Sequence, residues 1–102
     1  MKSAVRALLI HPDDNVAVAL DEIPEGTAVQ ISGPDRCFEL KALQPIPFAH
    51  KIAVQFIAQG DPILKYGVNV AFATANITAG TWVHGHNAAS YYVIHQQERQ
   101  SL

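Results

Sequence analysis

The chain has 102 residues, 49% of them hydrophobic and 16% charged, which fits one compact domain with a modest core. A formal net charge of −2, with seven Lys and Arg scattered along the chain, argues against a nucleic-acid partner, whose phosphates require clustered positive charge. The single cysteine, Cys37, excludes an internal disulfide and a multi-cysteine zinc site, and no apolar run approaches the ~20 residues of a membrane span.

The first stretch, MKSAVRALLI, is apolar, but it stops at HPDD without a cleavage-type sequence, so a cytoplasmic protein is expected. IHPDDN (10–15) follows and sets His11, Asp14 and Asn15 in a polar loop. Asp and Asn in such a loop either cap a turn through their own backbone or help line a substrate pocket. Strands are expected at VAVAL (16–20), TAVQIS (27–32), CFELKAL (37–43), KIAVQFI (51–57) and NVAFATA (69–75), where Val, Ile and alternation dominate between Gly and Pro. Cys37, with no histidine nearby in sequence, reads as a buried thiol and not as a nucleophile.

One pattern recurs: ALDEIPEGTAV (19–29), AVQFIAQGDPI (53–63) and ATANITAGTWV (73–83) share Ala-x₃-Ile-x₂-Gly-x₂-Val/Ile. Each copy reads as a strand, a tight turn and a new strand. Gly26, Gly60 and Gly80 would supply positive φ, and Ile23, Ile57 and Ile77 would plug the core beneath each turn. The uneven spacing rules out a solenoid.

Within this frame, AHKIA (49–53) places His50 and Lys51 just before a strand, where neighbouring side chains face opposite ways. LKYG (64–67) sets Lys65 and Tyr66 before a glycine turn; the lysine could bind a carboxylate or stand as a surface charge. VHGHN (83–87) carries His84 and His86, which on a strand would project from one side, and Asn87 follows them. The pair could ligate a divalent metal with a third ligand from His50, His11, Asp13 or Asp14, or form a polar strand end. Trp82 would pack against the turn or stack on a ligand. The tail SYYVIHQQERQSL (90–102) could hold a helix or be a frayed end, so the domain is placed at 1–88 with a tail or linker at 89–102.

Taken in order, HPDDNVAVALDEIPEG, HKIAVQFIAQGDPILKYG and ATANITAGTWVHGHN resemble the small SAF-type domain of the altronate and galactarate dehydratase family. The resemblance runs from about Leu8 to Asn87. It implies an all-β, β-clip fold of short strands and long loops, and a part in removing water beside the carboxylate of a sugar acid. It also implies a large catalytic subunit as partner and a divalent metal, iron(II), shared with or held by that subunit. A homo-oligomer is open on these grounds.

The motif positions that carry over are His84, His86 and His50 as catalytic residues, with His84 and His86 as metal ligands. His11, Asp14, Asn15, Lys51, Lys65, Tyr66 and Asn87 carry over as substrate-binding residues. Ala49 departs from the family, which usually has glycine before His-Lys. Two other readings keep the fold: the small subunit of a sulfolactate sulfo-lyase, and a non-catalytic module that binds carbohydrate or sugar acid.

Overall fold

In the computed structural model, which describes residues 4–90, every regular element is a strand. They are β1 (Val5–Leu8), β2 (Val16–Ala19), β3 (Ala28–Ser32), β4 (Cys37–Lys41), β5 (Lys51–Ala53), β6 (Pro62–Lys65), β7 (Val68–Ala73), β8 (Trp82–Val83) and β9 (Ala88–Ser90). The larger sheet runs β4-β3-β1-β2-β5-β8, with β1 and β3 parallel, and the smaller runs β6-β7-β9. This is the expected all-β, SAF-like fold. Among the described residues no helix is long and apolar enough to cross a membrane. The helix considered for the tail lies outside the described residues, apart from Ser90, which ends β9.

All five expected strands exist, but the one foreseen over 51–57 ends at Ala53. Beyond it Ile57 makes a single bridge to Ile77 and the chain turns. β1 and β9 were not foreseen. The N-terminal apolar run becomes β1 because its side chains alternate between core and solvent, and β3 and β2 flank it. Cys37 is exposed, which corrects the expected buried thiol. On the edge strand β4 the odd positions face water, while Phe38 and Leu40 pack on the core.

The recurring turn has a fourth copy. Ala42-x₃-Ile46-x₂-Ala49-x₂-Ile52 follows the same template with alanine in place of glycine. Ala49 adopts φ 71°, beside 82°, 90° and 92° at Gly26, Gly60 and Gly80. In each copy the residue after this position donates its N–H to the carbonyl three residues back, closing a β-turn.

The four copies pair in twos. Ile23 and Ile46 exchange two backbone hydrogen bonds, and so do Ile57 and Ile77. Gly26 N–H donates to Ala42 O and Ala49 N–H to Ala19 O; in the second half Gly60 N–H donates to Ala73 O and Gly80 N–H to Ala53 O. Residues 19–52 and 53–83 are thus two renderings of one frame.

Each half has its own core at matched positions. Ala19, Ile23, Val29, Ala42, Ile46 and Ile52 anchor the first; Ala53, Ile57, Ile63, Ala73, Ile77 and Val83 anchor the second. The four turn isoleucines are at most 2% exposed, so the expectation that such residues plug the core holds. Each contributes on the order of 2–3 kcal/mol of burial.

Candidate functional site

β6 and β7 form a hairpin closed by only two residues, Tyr66 and Gly67, with φ of 59° and 73°. Two consecutive positive φ values define a type I′ connection, which matches the twist of its strands but strains any residue other than Gly, Asn or Asp. A register shift at Ile63/Leu64 bends the hairpin. Lys65 and Tyr66 are thereby carried to one wall of a cavity of about 400 Å³.

The opposite walls come from β5, which supplies Lys51, and from the end of β8 and the start of β9, which supply Val83, His84, Gly85 and Ala88–Ser90. Ile63, Val70 and Ala71 make the floor apolar. Among the described residues no Asp or Glu lines the cavity. Lys51 and Lys65 are both half-buried, and burial, with a smaller repulsion from Lys65, holds the Lys51 ammonium below the usual lysine range. The Lys65 ammonium lies 5.1 Å from the centre of the Tyr66 ring. The cavity is therefore apolar within and cationic at the rim, chemistry that suits a small organic anion.

The histidines do not sit as expected. The chain leaves β8 after Val83, and residues 84–87 form a turn, so His84 and His86 do not project side by side from a strand. Asn87 causes this: its buried side chain accepts the His84 N–H at 3.0 Å and donates to the Trp82 carbonyl at 2.8 Å. Trp82 organises the three rings. Its indole stacks on His84 (centroids 5.0 Å apart, 15° between planes) and lies 5.4 Å from His86. Its Nε1–H donates to His50 Nδ1 at 3.2 Å. His50 Nδ1 is thereby committed as an acceptor. Of the three histidines only His84 lines the cavity.

His11, Asp14 and Asn15 stand behind the hairpin and not in the cavity wall. The Asp14 carboxylate accepts the backbone N–H groups of His11, Tyr66 and Gly67 at 3.1, 3.0 and 2.8 Å. Asn15 donates to the Pro62 carbonyl and accepts the Leu64 N–H, each at 2.9 Å. Both side chains are buried and committed to backbone. The sequence-derived candidates thus divide: Lys51, Lys65, Tyr66 and His84 share the cavity, His50 and His86 flank it through Trp82, and His11, Asp14, Asn15 and Asn87 brace its loops.

The residues fit no self-contained metal centre. Among the described residues no three His, Cys, Asp or Glu side chains come together to hold an ion. His50 Nδ1 is taken by Trp82 and the Asp14 carboxylate by three amides.

Sequence comparison places these observations among known proteins. Residues 5–91 match the family described as the altronate/galactarate dehydratase SAF domain. The altronate dehydratase of Escherichia coli K12 is 41% identical over 78 residues, covering 76% of this chain and 15% of that protein. The altronate dehydratase of Bacillus subtilis 168 is 36% identical over 87 residues, covering 85% of this chain and 16% of that protein. The (2R)-sulfolactate sulfo-lyase subunit alpha of Chromohalobacter salexigens is 30% identical over 78 residues, 74% of this chain and 83% of that subunit. The chain therefore spans about one-sixth of the dehydratases it matches.

Proposed function

The chain belongs to the altronate/galactarate dehydratase SAF-domain family, and from that premise we propose that it is the small part of a sugar-acid hydro-lyase. In this reading it supplies an anion-binding wall to an active site completed by a larger chain or domain. The observation that carries the reading is that Lys51 and Lys65 line one apolar cavity, with no carboxylate among its described lining residues. Two converging ammonium groups repel each other, and a bound carboxylate removes that penalty.

Elimination of water beside a carboxylate builds charge on the carboxylate oxygens as the neighbouring carbon loses its proton. Lys51 and Lys65, both in the cavity lining, would stabilise that charge. Tyr66 and His84 offer groups at the same rim that hold or move a proton at a substrate hydroxyl, and Trp82 fixes the plane of the His84 ring. Among the described residues no centre is built for the divalent metal implied by the resemblance, iron(II), which would be shared with or held by the larger chain.

The proposal has a pH signature. A bound anion favours charged Lys51 and raises its pKa, so binding takes up a proton at alkaline pH. Affinity is full below the depressed pKa of free Lys51 and declines as pH rises through it. Reconstitution with a large dehydratase-type chain tests the assignment, with formation of 2-keto product from altronate and galactarate as the readout. Absence of turnover across a panel of sugar acids, with a folded complex in hand, would sink it.

A second reading is sulfite release from a sulfonated hydroxy acid. It is favoured by the extent of the match, which covers 83% of a sulfo-lyase subunit. The leaving group alone separates the two, so assaying sulfite and 2-keto product on matched substrates decides between them.

A further inference from the structure

Tyr66 occupies a left-handed backbone conformation that a bulky side chain adopts at a cost of about 1–2 kcal/mol. Such an outlier persists only where its surroundings over-determine it. Here the agent is visible. Asp14, 2% exposed, places Oδ2 on the Tyr66 N–H and Oδ1 on the Gly67 N–H, the two residues of the strained turn. The same carboxylate holds the His11 N–H, which folds its own loop back under the hairpin. That loop presses close: a Cβ on Gly67 would lie 2.8 Å from the His11 imidazole.

Asparagine at position 66 would satisfy this turn with no strain, so the backbone does not require tyrosine. The tyrosine ring does something the turn does not need. It lies under the Lys65 ammonium at the cavity mouth, 5.1 Å from centroid to nitrogen. A chain of contacts then runs from a buried carboxylate, through two amides, to a ring and on to a binding cation.

We propose that Asp14 is a positioning residue that locks Tyr66 in its strained turn so that the ring holds the Lys65 ammonium over the cavity. This rests on reading the cavity as an anion pocket. Asp14 itself touches no substrate, which alters the role that its motif position implies. It acts on the anion only through Tyr66 and Lys65.

The test uses the full chain with galactarate as probe, followed by NMR at the Lys65 side chain and by amide hydrogen exchange. Asp14→Asn replaces one acceptor oxygen with a donor, and exchange at Tyr66 and Gly67 is expected to quicken about ten- to hundred-fold. Galactarate affinity should fall about tenfold in the same variant. Tyr66→Asn keeps the turn and removes the ring, so affinity should fall while exchange at Gly67 stays slow.

Unchanged exchange in Asp14→Asn would overturn the proposal, as would wild-type affinity in either variant. If Asp14→Asn does not fold, Tyr66→Asn alone decides. Absence of any galactarate response in the wild type would defeat the pocket reading and the positioning role together. A wild-type response that Asp14→Asn fully retains defeats only the positioning role.

Discussion

Residues 19–52 and 53–83 share one hydrogen-bonded frame and matched core positions, yet the cavity that gathers Lys65, Tyr66 and His84 is walled mainly by the second half, with Lys51 reaching it from the end of the first. In the first half the hairpin of β3 and β4 is sealed into the large sheet by β1. In the second, the hairpin of β6 and β7 pairs only with β9, and its tip is left to Asp14 and Asn15. One frame therefore serves two ends: with β1 beside its first strand it is built into the large sheet, and with β9 beside its second strand instead it becomes a cavity wall whose tip a buried carboxylate holds. The candidate site lies largely where the second copy departs from the first.

The comparison breaks most readily at the last turn. Gly80 and Ala49 are equivalent, but a Cβ on Gly80 would run into the Lys41 carbonyl oxygen and crowd Leu43. Gly80→Ala should cost about 3 kcal/mol or more, backbone strain plus overpacking, in a denaturant titration. Gly60→Ala, which meets open space, should cost only about 1–2 kcal/mol. Equal costs at the two positions would mean that φ alone governs these turns.

A second cut tests whether the cores are truly matched. Ile23→Ala and Ile57→Ala should each lose about 2–5 kcal/mol, within about 1 kcal/mol of each other, by the same titration. A much smaller loss at Ile57 would show the second half to be the looser one. The smallest effect is a gain. Ala49→Gly removes left-handed strain and should add about 0.5–1 kcal/mol, read as a rise in Tm.

Much of the frame was legible because period-two patterning and glycine turns are local signals. The three copies built on Gly26, Gly60 and Gly80 announce themselves, and their isoleucines fall in the core as expected. The fourth copy was hidden by one substitution, since Ala49 does not advertise a positive φ. The site was harder to read. His84 and His86 are two apart in sequence, and only the turn that the Asn87 side chain closes onto His84 and Trp82 explains why they leave the strand. Likewise nothing local in HPDDN reveals that Asp14 reaches Tyr66, fifty-two positions away. Locally Lys65 reads equally as a carboxylate binder or a surface charge, and Lys51 only as a lysine beside a strand; the sheets bring the two to one cavity.

The most direct measurement of the central claim is calorimetric titration of galactarate into the wild type, Lys51→Met and Lys65→Met, repeated at neutral and alkaline pH. The account predicts saturable binding by the wild type, strong loss in either variant, and proton uptake at alkaline pH that vanishes with Lys51. Binding that survives both substitutions, or shows no dependence on pH or Lys51, would contradict it.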